Sequence, residues 1–191
     1  MKIAICVAAR DLVHAGFALS LAKIAKTVDC ELLLNLGTVI PQQRNDLITQ
    51  ALDKNCSHIL WLDSDMHLPE NTALQLLKHD KEIVAASYST RMPPYQSVAF
   101  TDPNDFSLRL NESTGLHKVW AVGMGCMLVN TKVYEYLDWP WHQYIEHKES
   151  QSLMGEDIYF CKNANDAGFD IYIDETLSKN FAYYVNKSFK L

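Results

Sequence analysis

The chain has 191 residues, 48% of them hydrophobic, with five cysteines and a formal net charge of −6. That length suits one domain with a proper core, and an acidic balance without a dense Lys/Arg cluster gives no support for nucleic-acid binding. No stretch approaches the roughly 20 apolar residues of a membrane span. The scattered cysteines form no C-x-x-C pair, which argues for buried thiols in a reducing, cytoplasmic setting over a disulfide framework or a zinc site.

Residues 3–8 read as a first core strand. Arg10-Asp11 interrupts the apolar run too early for a signal peptide. Residues 12–26 carry Val13, Phe17, Leu21, Ile24 and Val28 at helical spacing. A strand at 31–36 stops at Gly37, and Pro41 opens a helix that runs to about Lys54. A third strand ends at an acidic pair. Pro69 then starts a short helix through Leu77, and 82–87 is again an apolar strand. This β-α-β-α-β-α-β order predicts an α/β domain with a mostly parallel, Rossmann-like sheet flanked by helices.

After Met92-Pro93-Pro94 the chain is irregular, with a small antiparallel ribbon expected at 98–100 and 108–110. Strand signals return at 117–122 and 127–130, followed by helices at 131–137 and 155–167 and a last strand at 170–173. No repeat or low-complexity segment is present.

The acidic pair closes the run Ser57-His58-Ile59-Leu60-Trp61-Leu62-Asp63-Ser64-Asp65. A short apolar run of this kind reads as a strand buried on both faces, and its carboxyl end lies on the rim where open α/β sheets bind ligands. In extended chain Asp63 and Asp65 face one way and Ser64 the other. Two uncompensated acids repel, so a cation or ligand between them makes sense of the pair.

Arg44 stands at offsets of three, four and seven from Leu47, Ile48 and Ala51, near the start of its helix. Its guanidinium is expected either to bind an anion such as a diphosphate or to pair with one of the two acids. Gly155-Glu156-Asp157 opens the last long helix, where acids are favoured by the helix dipole alone; a second acidic site facing the first is the other reading. Val122-Gly123-Met124-Gly125-Cys126-Met127 has glycines suited to a bulge or to close approach of a ligand. Trp139, Trp141, His142 and Tyr144 suit either core packing or a sugar-stacking surface.

In this order, Arg44-Asn45, Ile59 through Met66, Gly123 through Leu128 and Gly155-Glu156-Asp157 resemble a GT-A glycosyltransferase of the family 2 type. The resemblance implies a GT-A catalytic domain over 1–175 with a tail at 176–191 that packs on or near the active site. It also implies a nucleotide-sugar donor, most often a UDP-sugar, a carbohydrate or other hydroxyl acceptor, and Mn²⁺ or Mg²⁺. Asp65 would be the main metal ligand, with Asp63 reaching the metal or ribose beside Ser64. Ala8, Ala9, Arg10 and Asp11 would receive the base, and Arg44 would contact the nucleotide or diphosphate. Gly123, Met124 and Gly125 would line the donor-sugar pocket. Asp157, with Glu156 beside it, would be the base that deprotonates the acceptor, with inversion favoured.

Two departures stand out. The family's further metal ligand, a His after the last core strand, is missing from Thr176-Leu177-Ser178-Lys179-Asn180-Phe181, where Lys179 is the nearest substitute as a partner for the diphosphate. The chain is also short for an acceptor domain. The alternatives are a non-catalytic sugar-nucleotide or glycan-binding module, and a haloacid-dehalogenase-like phosphatase, which also uses D-x-D after an apolar strand.

Overall fold

The computed structural model describes residues 1–112, 114–147 and 152–183. The first half runs β1 (Ile3–Ala9), α1 (Ala15–Ala25), β2 (Cys30–Leu36), α2 (Ile40–Asp53), β3 (His58–Leu62), β4 (Met66–His67), α3 (Thr72–Lys78) and β5 (Ile83–Ala85). The second half runs β6 (Ala99–Phe100), β7 (Leu116–Val119), β8 (Ala121–Val122), β9 (Cys126–Asn130), α4 (Lys132–Tyr136), β10 (Ile145–His147) and β11 (Ser152–Met154). It closes with α5 (Glu156–Asp166), β12 (Ile171–Asp174), α6 (Glu175–Ser178) and β13 (Ala182–Tyr183).

Seven strands form one sheet in the order β2-β1-β3-β9-β5-β12-β7. β1 pairs in parallel with β2 and β3, and β5 with β12, while β9 is antiparallel to both β3 and β5 and β7 is antiparallel to β12. The strands β2, β1, β3, β5 and β12 therefore share one direction, and the result is a mixed α/β architecture with a mostly parallel sheet. Consecutive crossovers account for β1, β2 and β3. The sequence pattern does not reveal that β9 fills the space between β3 and β5, because an apolar run carries no sign of chain direction.

Alternating side chains of the central strands feed two cores. Ile3, Ile5, Leu60, Leu62, Val84 and Leu128 meet Phe17 and Ile24 of α1 and Ala73 and Leu76 of α3 on one face. Ala4, Cys6, Ile59, Trp61, Met127 and Ile173 meet Leu47, Ile48 and Ala51 of α2, Tyr134 of α4 and Phe160 of α5 on the other. Burial on both faces explains why β1 and β3 are unbroken apolar runs. β2 is an edge strand: Leu33 is buried, whereas Leu32, Leu34 and Leu36 are more than half exposed.

Helix α1 begins three residues later than the periodicity suggests. The chain first turns at the rim, where His14 N donates to Ser64 O at 3.1 Å, and His14 Nδ1 then accepts from Gly16 N. The expected ribbon is present: Thr101 N donates to Leu108 O at 3.1 Å and Leu110 N to Ala99 O at 3.0 Å. Phe100 also bridges Arg109, β6 pairs on its other side with β8, and Phe106 packs between the rings of Phe100 and Trp120 at 5.3 and 5.5 Å. The tail continues through α6 into β13, which pairs with β4 through Ala182–His67 and Tyr183–Met66. The rest of the tail, 184–191, lies outside the described residues.

The candidate site at the sheet rim

Regular pairing of β3 ends at Leu62 opposite Cys126, and Asp63 N still donates to Gly125 O at 3.0 Å. The chain then turns, with Met66 N donating back to Asp63 O. The extended geometry expected for Asp63 and Asp65 is therefore replaced by a tight turn, since Ser64 and Asp65 have no neighbouring strand to pair with. Both acids still line one cavity of 420 Å³, and so does Ser64, which the strand periodicity pointed away. The other walls are Ala8, Ala9 and Arg10 at the end of β1, with Gly37, Thr38, Ile40, Gln43 and Arg91. Asp11, expected in this wall, is exposed outside it.

Each carboxylate meets a guanidinium. Arg44 Nη2 donates to Asp63 Oδ1 at 3.4 Å, whereas Arg44 Nε lies 3.4 Å from Glu156 Oε1 at ion-pair distance without hydrogen-bond geometry. The guanidinium also stands 5.3 Å from the Trp61 ring centroid. Only 5% exposed and absent from the cavity wall, Arg44 is a buried hub between two acids and does not offer itself to a diphosphate. Salt-bridge pairing, one of the two roles expected for it, is the one present, because its place on the core-facing stripe of α2 aims it beneath the rim.

Arg91 Nη2 lies 2.5 Å from Asp65 Oδ2. The Asp65 carboxyl is raised above its ordinary range, by burial first, with Arg91 opposing and Asp63 adding to the rise. Its second oxygen, Oδ1, is buried without a hydrogen-bond partner among the described residues. This is an observation that suits a hard cation. Such a cation need not have a cage of protein ligands, since Mg²⁺-like ions bind through one or two carboxylates, waters and substrate phosphates. That fits the absence, among the described residues, of any group of three His, Cys, Asp or Glu side chains able to hold a metal.

Glu156 and Asp157 form the first turn of α5, and burial raises both carboxyls while Arg44 opposes the rise. Asp157 Oδ1 accepts from Ile158 N at 2.8 Å. Gly155 permits this: a Cβ there would stand 2.7 Å from the same oxygen. Arg44 thus links Asp63 to the head of α5. His142 is 1% exposed beneath this network. Its backbone N donates to Asn45 Oδ1 at 3.0 Å, and its carbonyl accepts from Asn45 Nδ2 at 2.9 Å. Its Nδ1 lies 3.2 Å from Glu156 O, its ring stacks on Phe160, and burial followed by Arg44 pushes its pKa down to about 3. The aromatic segment divides between its two readings: Trp141 and His142 pack inward, whereas Trp139 and Tyr144 are exposed.

Other expected site residues are placed elsewhere. Gly123 and Gly125 receive the ring of Tyr88, whose hydroxyl accepts from Gly125 N at 3.1 Å, and Met124 is in the core. None of the three lines the cavity. Lys179 lines a separate 360 Å³ cavity with Ser87, Tyr88 and Glu175, so it does not replace a metal ligand at the acid pair.

Sequence reasoning missed Arg91 and Gln43. Arg91 sits in a segment without periodicity, where only the Pro-Pro turn beside it was a signal. Gln43 Nε2 donates to Ala9 O at 2.8 Å and Asn35 O at 2.7 Å, tying β1, β2 and α2 together at the cavity wall. A polar residue one position before Arg44, on the same buried stripe, was the available clue.

The family model that matches the chain is Anp1, over residues 37–119. No family 2 glycosyltransferase model matches, which overturns the family 2 resemblance. The matched span takes in Arg44, the acid pair and Arg91. It leaves out the Gly123 motif, whose glycines receive the Tyr88 ring, and the Gly155 motif, whose acids open α5. No curated protein matches the chain. Among solved structures, A197 from STIV is 13% identical, with a TM-score of 0.70, and the match covers 97% of this chain and 87% of that one. That likeness establishes a shared fold. Among the described residues, no helix is long and apolar enough to cross a membrane.

Proposed function

We propose that this protein is a glycosyltransferase with a GT-A-type arrangement of its sheet, moving a hexosyl unit from a nucleotide sugar, of the UDP type, to a hydroxyl acceptor. The observation that carries the reading is the rim: Asp63 and Asp65 face one cavity, and Asp63 connects through Arg44 to Glu156, beside Asp157. The end of β1 (Ala8, Ala9, Arg10) and Gln43 would hold the nucleoside. Asp65 and Asp63 would hold Mn²⁺ or Mg²⁺, which when bound neutralises charge on the leaving diphosphate.

Asp157 is the candidate base; neither it nor Glu156 lines the cavity of the acid pair, so in this reading the acceptor approaches from the head of α5. Burial makes its carboxylate more basic than usual, which favours proton abstraction. As the acceptor oxygen bonds to the anomeric carbon from the face opposite the diphosphate, its proton passes to Asp157 and the bond to the nucleoside diphosphate breaks. This is a single displacement with inversion.

The test is a screen of nucleotide sugars with Mn²⁺ and Mg²⁺, read by thermal shift and by release of nucleoside diphosphate. We expect a UDP-sugar to bind and to be cleaved. Asp65→Ala is expected to lose cation-dependent nucleotide binding, and Asp157→Asn to keep donor binding but lose transfer, since an amide cannot accept the proton. Failure to bind any nucleotide sugar with either cation overturns the reading. Binding without turnover in the presence of acceptors points to a non-catalytic binding module.

A further inference from the structure

We infer that Arg91 is a substrate-binding residue that changes partner, neutralising Asp65 in the free protein and binding the donor's diphosphate once a cation occupies Asp65. This rests on the proposed use of a nucleotide sugar and concerns a residue that none of the sequence motifs contains.

Three observations converge on Arg91. Its guanidinium is 2.5 Å from Asp65 Oδ2 and lines the same cavity as Asp63, Ser64 and the end of β1. Its side chain is 61% exposed while that of Asp65 is 27% exposed, so the arginine lies on the open side of the pair. Finally, it is carried by a preformed hairpin. Ser89 bridges Ser97, Thr90 N donates to Gln96 O at 2.8 Å, and Val98 N donates to Tyr88 O at 2.9 Å. The Thr90 hydroxyl lies 3.1 Å from Met92 O and 3.0 Å from Pro94 O and accepts from Gln96 N, which holds the tip in shape. Tyr88 secures the base of the hairpin through Gly125 N.

The charges explain why the partner must change. The cavity wall carries Asp63, Asp65, Arg10 and Arg91, while Arg44 serves Asp63 from below. A diphosphate entering with Arg91 still held on Asp65 would meet two carboxylates and a cation already spent on one of them. Asp65 would hold a divalent ion in place of the guanidinium, and that ion would supply positive charge for the diphosphate. The planar fork of Arg91, released at the same rim, then has two acceptor oxygens of the diphosphate to take. No rearrangement of the sheet is needed, only a rotation of one largely exposed side chain.

The test compares wild type with Arg91→Ala and Arg91→Lys by titration calorimetry, using MnCl₂ alone, UDP with Mn²⁺, and uridine. Arg91→Ala is expected to bind Mn²⁺ alone more tightly than wild type, because Asp65 loses its competing counter-ion. It is expected to bind UDP about tenfold or more weakly, the loss typical of one charge-assisted contact, while uridine binding is unchanged. Arg91→Lys should restore the wild-type response to Mn²⁺ and only part of the UDP affinity.

Unchanged UDP affinity in Arg91→Ala, with wild type binding UDP normally, overturns the role of Arg91 and leaves the glycosyltransferase reading standing. Equal losses for UDP and uridine likewise overturn it, by reporting a distorted cavity. A wild-type protein that binds no UDP in the presence of Mn²⁺ overturns the functional reading, and the Arg91 proposal with it.

Discussion

Beneath the rim, one guanidinium serves two carboxylates, and a neutral imidazole lies beside it. His142 must stay uncharged: it is buried, Arg44 repels a second positive charge, and its folded pKa of about 3 lies below the ordinary 6.5. A depressed folded pKa means that the His142 contribution to stability is complete above pH 6.5 and is lost as pH falls from 6.5 towards 3. The slope for one proton is about 1.4 kcal/mol per pH unit. Glu156 and Asp157, with raised pKa values, push in the opposite direction over the acid range. A difference measurement isolates the histidine. Urea unfolding at pH 7, 6, 5 and 4 should show a shallower loss for His142→Gln than for wild type, and parallel curves would refute the buried neutral imidazole. The acid pair was legible at this scale because it interrupts an apolar run. Arg91 was not, since its partner lies 26 positions away in sequence, across a segment with no regular spacing.

At the scale of elements, the join between β8 and β9 shows why glycines were visible in the sequence and their purpose was not. A bulge, a ligand contact and a packed ring all require the same missing Cβ. At Gly125 a Cβ would stand 2.6 Å from Tyr88 Cε1 and 2.9 Å from Cζ. Gly125→Ala is therefore expected to destabilise by about 1–3 kcal/mol, the usual cost of overpacking. Combining it with Tyr88→Ala should cost less than the sum of the two single changes, because the clash has gone. Additive costs, measured by denaturant unfolding, would mean that the ring does not press on this turn. The stripes of α1 and α2 and the strands β1 to β3 were predictable because both periodicities are strong there. The short pairs β10–β11 and β4–β13 were not, having two or three residues each.

For the whole molecule, β3 is an interior strand of the sheet and joins both cores, so unfolding of one part exposes the other. A single cooperative transition is expected. If the cavity takes a sugar nucleotide, a ligand held at one hundred times its dissociation constant adds about 2.7 kcal/mol. For a chain of this size that raises Tm by roughly 5–10 °C. A scan with UDP and Mn²⁺ that moves the midpoint by less than 1 °C at millimolar UDP would leave no room for such a ligand. The α/β class was readable from the order of elements, whereas the strand order was not, because pairing between distant strands leaves no local trace.

The reversed direction of β9 also bears on where this protein tolerates insertions and deletions. Because β9 runs against its neighbours, the residue that enters it, Gly125, supplies the carbonyl that fixes the backbone of Asp63. Two stretches of chain more than sixty positions apart are thereby locked in phase. Adding or removing a single residue between Val122 and Cys126 would drag the first acid off its station. The turn at Asp80-Lys81, where Asp80 is exposed and the chain enters β5 at the end away from the acid pair, is where a change of length is expected to leave the chemistry in place.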